Sequence, residues 1–289
     1  MTAIGVIGLG YVGLPLAIGF SSAGHNVVGF DVSEPTVALL LGGRSQVDDV
    51  TDHEIGVYLA SGSVFSTDPT GLNECSVFII CVPTPLDASG HPDLGHVEAA
   101  TRTVGAVLSE GDLVILESST HPGTTESGVG PLLEELSGLR VGKGFSLAYS
   151  PERIDPGNPQ FGLDNTPKIV GGYDTTSTRR AADVYSSVGI DVVEAKGLRE
   201  AEMAKLLENT YRHVNIALVN EMVKFCRPLG IDLWDAIRCA ATKPFGFEAF
   251  YPGPGVGGHC IPIDPHYLSY QVRIQLGRPF RFVELAQEI

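Results

Sequence analysis

The sequence predicts an α/β fold: a doubly wound parallel sheet over residues 1–196, followed by an all-helical domain over residues 197–289. Two observations support this prediction. Short apolar runs alternate with helical patterns in the first part, as expected for βαβ units. The pattern then changes, because the stretch from Leu198 to Cys226 contains neither Gly nor Pro and carries apolar side chains every three to four residues. That stretch predicts one long amphipathic helix.

Each strand is predicted from a short apolar run bounded by turn residues. The predicted strands cover residues 3–8, 26–31, 77–82, 113–116, 145–149, 168–172 and 191–194. The predicted helices of the first domain cover residues 12–23, 96–108, 125–136 and 176–187, and the second domain has a further one at 233–241. Residues 149–167 and 252–265 are rich in proline or glycine and are predicted as irregular loops, which are usually functional when they are this long.

The charge balance and the cysteines narrow the functional class. With 34 acidic and 19 basic residues, the net charge of −15 argues against binding to nucleic acids or anionic membranes. No apolar run approaches the ~18 residues of a membrane helix, and the N-terminus lacks the basic start of a signal peptide. Five cysteines without a CxxC pair indicate a cytoplasmic protein without a disulfide framework. Four of them are predicted to be structural: Cys75, Cys81, Cys226 and Cys239.

The first strand is followed by the GxGxxG pattern Gly8-Leu9-Gly10-Tyr11-Val12-Gly13 and a helix, and the second strand ends at Asp31. This is the context that a dinucleotide-binding, Rossmann-like domain requires. Gly8 permits the tight turn, Gly10 lets the pyrophosphate approach the backbone, and Gly13 allows close packing of helix and strand. Asp31 would accept hydrogen bonds from ribose hydroxyls and repel a 2′-phosphate, which favours NAD over NADP. The alternative is a glycine-rich turn that binds nothing.

The second part of the chain carries candidate reactive groups. Cys260 follows a pair of glycines that would let a bound group approach its thiol, and a neighbouring cation would make that thiol reactive. Lys205 and Asn209 lie one helical turn apart, so both could donate hydrogen bonds to one developing oxyanion. The alternatives are an inert cysteine in a turn and a solvated lysine. A metal site would draw on His259, Cys260, Asp264 and His266, but their spacing matches no standard site.

Taken together, the motifs resemble the UDP-glucose/GDP-mannose dehydrogenase family over the whole chain. They occur in one order: GxGYVGLPLA at the N-terminus, CVPTP at 81–85, ESSTHPGTT at 117–125, SPER at 150–153, KxxxN at 205–209 and PGPGVGGHCIPIDP at 252–265. Residues 150–158 and 243–255 are similar to the branch of UDP-N-acetylglucosamine 6-dehydrogenases, which serve surface-polysaccharide synthesis. UDP-N-acetylmannosamine and UDP-glucose remain alternative substrates.

The resemblance implies an oxidation of a primary alcohol to a carboxylate that consumes two NAD⁺. In that scheme Ser119 and Lys205 polarise a water that helps remove the C6 hydroxyl proton. The Cys260 thiolate then attacks the aldehyde, while Lys205 and Asn209 stabilise the oxyanion. A thioester forms after the second hydride leaves.

Hydrolysis of the thioester completes the scheme, and the resemblance assigns the activation of water to Glu152 or Asp264. The family usually has Thr at the position of Ser119, so the hydroxyl is kept but its β-branching is lost. Thr120 would take the role if the register differs by one residue.

The resemblance also implies two sets of binding residues and no metal. The residues expected to contact NAD are Gly8, Gly10, Tyr11, Val12, Gly13, Asp31, Pro83, Thr84, Ser119, Thr120 and Glu152. The residues expected to contact the UDP-sugar are Lys205, Asn209, Tyr251, Gly253 and Gly257.

Family members continue into a second Rossmann-like domain that binds much of the UDP, and their long central helix builds a homodimer. We therefore expect this chain to bind NAD and to dimerise through residues 198–226, but to turn over poorly. Two other functions stay open. One is a dehydrogenase of the β-hydroxyacid or 6-phosphogluconate type, which transfers one hydride without a cysteine nucleophile. The other is a non-catalytic NAD-binding dimer.

Overall fold

A computed structural model describes residues 3–87, 91–154, 160, 162, 165–257 and 260–289, without the side chains of 260–262. The chain divides into two compact units: Met1–Thr84 with Asp93–Lys205, and Pro85–Pro92 with Leu206–Ile289. The first turns of the long helix therefore belong to the first unit. The domain division after residue 196 stays a prediction.

The first unit contains an eight-stranded sheet in the order β3-β2-β1-β4-β5-β6-β7-β8. All neighbouring strands are parallel except β6 and β7. The predicted doubly wound parallel sheet is confirmed, with the antiparallel β6–β7 pair as a departure that was not predicted, and β3 is a strand that the apolar runs did not predict. The strands are β1 Ala3–Ile7, β2 Asn26–Phe30, β3 Val64–Ser66, β4 Val77–Ile80, β5 Leu113–Leu116, β6 Ser146–Tyr149, β7 Lys168–Gly172 and β8 Val192–Glu194.

The reversal between β6 and β7 determines which residues meet at the edge of the sheet. Ala148 pairs with Gly172 and Tyr149 with Gly171 in the antiparallel ladder. Continuing this register places position 168, the start of β7, beside position 152 beyond the end of β6. A residue at the start of β7 therefore lies where β1, β4, β5 and β6 have their carboxyl ends.

Helices cover both faces of this sheet. They are α1 Gly13–Ser22, α2 Glu34–Leu41, α3 Asp52–Ala60, α4 Gly95–Gly105, α5 Gly130–Ser137 and α6 Thr175–Ser186, with 3-10 and π-helical turns at Pro69–Glu74 and Thr125–Val129. Successive strand residues point to opposite faces. In β1, Ile4 and Val6 pack into one core with α1, α3 and α6, while Ile7 packs into the other with α4, α5 and the start of the long helix.

The second unit is helical, as predicted. The long helix α7 covers Leu198–Cys226, and α8 Leu233–Ala240, α9 Cys260–Leu276 and α10 Arg281–Glu288 follow it. A small core of Val219, Cys226, Leu233 and Ile237 joins α7 to α8. The predicted loop 252–265 is wrong over its last six residues, because α9 begins at Cys260 and contains Pro265. Pro262 and Pro265 masked the helical pattern: a first helical turn tolerates proline, but Pro265 lies beyond that turn, inside the helix.

Three of the four cysteines predicted to be structural are buried: Cys75, Cys81 and Cys226. The prediction is wrong for Cys239, which is exposed on the solvent side of α8. Among the described helices, none is both long enough and apolar enough to cross a membrane.

The packing of β7 against α7 gives a test of the fold. A Cβ at Gly171 would lie 2.2 Å from the Gly197 carbonyl oxygen and 2.9 Å from the Ala201 Cβ. We expect Gly171→Ala to lower the free energy of unfolding by about 1–3 kcal/mol through overpacking. Gly56→Ala is the control, because a Cβ there meets nothing within 4 Å, and it should stabilise α3 by about 0.5–1 kcal/mol. Urea unfolding followed by circular dichroism measures both, and an unchanged midpoint for Gly171→Ala would contradict the packing described.

Candidate active site

The turn between β1 and α1 closes only because two residues lack a Cβ. Gly8 has a φ of +97°, and a Cβ at Gly13 would lie 1.9 Å from the Gly8 carbonyl oxygen. A Cβ at Gly10 would meet nothing within 4 Å. Gly10 therefore presents its backbone to open space at the start of α1, where the first N–H groups of a helix have no intrahelical acceptor. Such a turn can take a phosphate group.

The carboxylate of Asp31 is fixed beside this turn. Its Oδ2 accepts a hydrogen bond from the Leu9 N–H at 2.8 Å, and its Oδ1 accepts one from the Ser33 N–H at 2.8 Å. Each oxygen keeps a further lone pair for a ribose hydroxyl. Tyr11, also predicted to contact the cofactor, is exposed at 57% on the turn. These features fit NAD, because the glycine turn can bind its phosphates and the adjacent Asp31 carboxylate can accept hydrogen bonds from its ribose hydroxyls.

The other predicted cofactor residues follow β4 and β5. Pro83 is exposed and Thr84 half-buried after β4, while Ser119 is half-buried and Thr120 fully buried after β5. The Thr120 hydroxyl donates to the Glu202 carboxylate at 3.5 Å. Ser119 is therefore the more accessible of the two hydroxyls, which favours it over Thr120 for contact with a ligand.

Glu202 is a site residue that the sequence analysis missed. Its buried carboxylate accepts hydrogen bonds from the Gly123 N–H at 2.5 Å, the Thr125 N–H at 2.9 Å and the Thr125 hydroxyl at 2.7 Å. Burial raises the pKa of Glu202, although these donors oppose the shift. The residue holds the loop that carries Ser119 against α7. Its place three residues before Lys205 in an amphipathic helix was the available signal.

Lys205 is directed to the main chain of Glu152. It is 8% exposed, and its Nζ donates to the Glu152 carbonyl oxygen at 2.6 Å. The structure thus brings together two predicted catalytic residues, but through a carbonyl and not through the Glu152 carboxylate.

The Glu152 carboxylate is engaged elsewhere. Its Oε1 accepts from the Arg153 N–H at 2.6 Å and the Ile154 N–H at 2.7 Å, and its Oε2 lies 3.1 Å from Lys168 Nζ. Burial alone would raise the pKa of Glu152, but Lys168 and these N–H groups hold it below its ordinary value. A carboxylate of lowered pKa with three donors is a weak base, so a role in activating water stays a prediction.

Lys168 also binds Glu117, and the sequence analysis missed both residues. The Lys168 Nζ lies 2.9 Å from Glu117 Oε2, and the Tyr185 hydroxyl donates to Glu117 Oε1. Burial raises the pKa of Glu117 despite the charge of Lys168. Burial alone would lower the pKa of Lys168, yet the two carboxylates raise it above its ordinary value. A charged residue opening the buried strand β7 was the available signal.

The predicted site residues of the second unit meet in one pair. Asn209 Nδ2 donates to Asp264 Oδ2 at 2.5 Å, and Asp264 is 2% exposed. Tyr251 is 52% exposed, and the N–H of Gly253 donates to Asn220 Oδ1 at 2.9 Å.

Two remaining predictions concern residues 257–260. Gly257 has a φ of +62°, a conformation that favours glycine. The side chain of Cys260, the predicted nucleophile, lies outside the described part of the structure. So does His259 of the alternative metal site, and the residues that are described contain no cluster of His, Cys, Asp and Glu able to hold a metal ion.

Residues 2–189 match the model of the UDP-glucose/GDP-mannose dehydrogenase family, NAD binding domain, and residues 199–289 match the central domain of the same family. The chain belongs to this family. It is an oxidoreductase family, and NAD is the cofactor of the matched N-terminal domain.

Curated relatives differ in the sugar that their names give. The chain is 40% identical over 275 residues to the UDP-N-acetyl-D-glucosamine 6-dehydrogenase of Pseudomonas aeruginosa, covering 93% of this chain and 63% of the relative. It is also 40% identical over 276 residues to the UDP-N-acetyl-D-mannosamine dehydrogenase of Pyrococcus horikoshii, covering 95% and 65%. The chain thus spans less than two-thirds of the length of these relatives.

A solved structure shares the fold. The structure of UDP-D-ManNAc dehydrogenase from Pyrococcus horikoshii has a TM-score of 0.92 and 38% identity, and the match covers 99% of this chain and 68% of that one.

The glycine turn generates a test of the cofactor site. We expect Gly10→Ala to weaken NAD binding at least about tenfold, or ~1.4 kcal/mol, because its methyl group would enter the space left for the phosphates. Thermal stability should not change, since that methyl group touches no protein atom within 4 Å. Gly13→Ala should instead destabilise the fold. Calorimetric titration with NAD measures the affinity, and wild-type affinity in Gly10→Ala would argue against phosphate binding at this turn.

Proposed function

We propose that this chain is the NAD-binding and central part of a cytoplasmic UDP-sugar 6-dehydrogenase, which oxidises the C6 alcohol of UDP-N-acetylglucosamine to a carboxylate. The observation that carries the proposal lies within the first unit. Lys205 is anchored at the carbonyl of Glu152, beyond β6, at the same edge of the sheet as the glycine turn beyond β1. Parallel α/β sheets bind ligands beyond the carboxyl ends of their strands, and Lys205 supplies a buried cation there.

The chain's own residues would perform the steps that follow substrate binding. The glycine turn and Asp31 would hold NAD, which would supply the hydride acceptor for each of the two oxidations. Ser119 and Lys205 polarise the water that takes the C6 hydroxyl proton. The Cys260 thiolate adds to the aldehyde carbon, and the oxyanion that forms accepts hydrogen bonds from Lys205 and Asn209.

Release of the product needs a water and a group that orients it. Oxidation of the thiohemiacetal leaves a thioester on Cys260, and water cleaves the C–S bond to give the acid and the free thiol. Asp264 is one candidate to orient this water, because its Oδ2 accepts a hydrogen bond from Asn209 Nδ2 at 2.5 Å, which holds the carboxylate beside the proposed oxyanion donor. Glu152, bound by Lys168 and two N–H groups, is the second candidate.

The stoichiometry of NADH tests this proposal. The 289-residue chain is compared with the same chain joined to the C-terminal part of the Pseudomonas aeruginosa relative that it does not match. We expect two NADH per UDP-N-acetylglucosamine from the joined protein and poor turnover from the 289-residue chain, because remote substrate contacts drive positioning of the reacting carbon. Turnover of UDP-N-acetylmannosamine or UDP-glucose instead would show that this sugar nucleotide, and not UDP-N-acetylglucosamine, is the substrate. One NADH per sugar would refute the thioester route and support the one-hydride alternative.

Cysteine variants of the joined protein complete this test. Cys260→Ser should reduce acid formation at least about 10³-fold, as removal of a covalent nucleophile does in other enzymes. Cys239→Ser is the matched control, because Cys239 is an exposed thiol in the same unit. Equal activities of the two variants would exclude Cys260 as the nucleophile. Intact NAD binding without any redox activity would favour a non-catalytic dimer.

A row of exposed apolar side chains on α7 supports the predicted homodimer. Tyr211, Leu218 and Phe225 are exposed at 49%, 51% and 48%. Their spacing of seven residues keeps them on one helical face. We propose that a second copy of the chain covers this face, because large exposed apolar patches mark interaction surfaces.

Light scattering after size exclusion tests the dimer. Wild type should have twice the mass of the chain, and Leu218→Asp should be monomeric, because it would place a charge in the apolar interface. The control is Leu41→Asp, an equally exposed leucine at 55% on α2 of the first unit, which should stay dimeric. A monomeric wild type, or a dimeric Leu218→Asp, would contradict this assignment.

A further inference from the structure

Lys168 is a buried cation to which neither the motifs nor the proposed steps assign a role. Its side chain is 3% exposed, and its Nζ lies between Glu117 Oε2 at 2.9 Å and Glu152 Oε2 at 3.1 Å. The antiparallel register of β7 places it there, beside position 152. Two carboxylates that follow β5 and β6 and the ammonium group at the start of β7 thus form one buried cluster.

Glu152 is held by Lys168 and by two backbone N–H groups. Its side chain folds back onto the chain that follows, because Oε1 accepts from the N–H groups of Arg153 and Ile154 at 2.6 and 2.7 Å. Lys168 holds the other oxygen. Glu117, in turn, receives the Tyr185 hydroxyl on the oxygen that Lys168 does not use. Both carboxylates therefore accept hydrogen bonds at both oxygens, and those of Glu152 include the N–H groups of the two residues that follow it.

The backbone of Glu152 is what holds Lys205. The Lys205 Nζ donates to the Glu152 carbonyl oxygen at 2.6 Å. An ammonium group has three N–H donors, and the direction of one sets those of the other two. A continuous series of contacts thus runs from Lys168 through the Glu152 side chain and carbonyl to Lys205, all inside the first unit.

We propose that Lys168 is a positioning residue for the reaction: it holds Glu152 in place, so that the Glu152 carbonyl directs the Lys205 ammonium toward the reacting oxygen. The inference rests on the proposed function, because it concerns the cation that stabilises the oxyanion there. Without Lys168, two buried carboxylates would face each other and one would take up a proton. Glu152 would then lose one of its three anchors, and Lys205 its fixed partner.

The test separates positioning from charge balance with a double variant of the joined protein. Lys168→Met leaves two uncompensated carboxylates. Lys168→Met/Glu117→Gln restores the net charge of the cluster, because one cation and one anion are removed together, but it does not restore the contact with Glu152. We expect kcat to fall about 10²-fold in both variants, the usual effect of a small misplacement of a catalytic group. The Kd for NAD should stay within about twofold. Wild-type kcat in a folded double variant would overturn the proposal.

Two single variants serve as controls. Glu117→Gln keeps the contact between Lys168 and Glu152, so its kcat should stay close to that of wild type. Tyr58→Phe removes a buried hydroxyl that donates to the Val27 and Val64 carbonyls near β2 and β3, far along the sheet order from the cluster. It should lower stability without lowering kcat. A tenfold loss of kcat in Tyr58→Phe would mean that destabilisation alone explains the effect of Lys168.

A measurement without substrate distinguishes failure of this inference from failure of the proposed function. Reductive methylation of the 289-residue chain reports how firmly Lys205 is held, with the exposed Lys224 on the same helix as internal reference. We expect labelling of Lys205 relative to Lys224 to rise at least threefold in the double variant. Unchanged labelling would refute the connection from Lys168 to Lys205, whatever the enzyme oxidises. Raised labelling in a protein that forms no NADH would refute the proposed function alone.

Discussion

Buried charges at the carboxyl edge of the sheet are each satisfied by partners from another element, and the placement of the site residues depends on these contacts. Glu202 of α7 accepts the donors of the loop after β5. Lys205, one turn further along, donates to the segment after β6. Lys168 of β7 joins the carboxylates that follow these two strands. Because a buried charge without a partner costs several kcal/mol, these contacts fix the loops, and the loops carry the candidate site.

Stability alone does not explain so many buried charges. Well-packed apolar side chains of similar volume are often as stabilising as a buried ion pair, or more so. What an ion pair adds is direction, because hydrogen bonds require defined angles. The contact of Lys168 with Glu152 leads to a carbonyl oxygen that accepts a hydrogen bond from Lys205. The energetic cost of burying these charged side chains is thus consistent with a role in positioning the Lys205 ammonium group.

The two units contribute different parts of the proposed chemistry. The first unit holds the glycine turn, the Asp31 carboxylate and the anchored Lys205. The second holds the pair of Asn209 and Asp264, and on α7 the exposed row of Tyr211, Leu218 and Phe225. Helix α7 is the element common to both, since it begins in one unit and ends in the other. The proposed chemistry and the proposed dimer therefore both use residues of this helix.

The sequence by itself determined what depends on local patterns. Strands β5 and β7 and helix α7 have the predicted bounds, because the apolar periodicity that predicts them is a local property of the sequence. Gly8, Gly10 and Gly13 form the predicted turn, because the lack of a Cβ affects only the atoms close to each glycine. Only the tertiary structure decided which groups are partners across the chain. The antiparallel course of β7 cannot be read from its apolar run, and it alone brings Lys168 to Glu117 and Glu152, 51 and 16 residues away. The same holds for Glu202, whose loop partners lie 77 to 82 residues earlier. The pairing of buried charges depends on which helices and which ends of strands lie next to each other in the fold. The local sequence around each charged residue does not specify those neighbours.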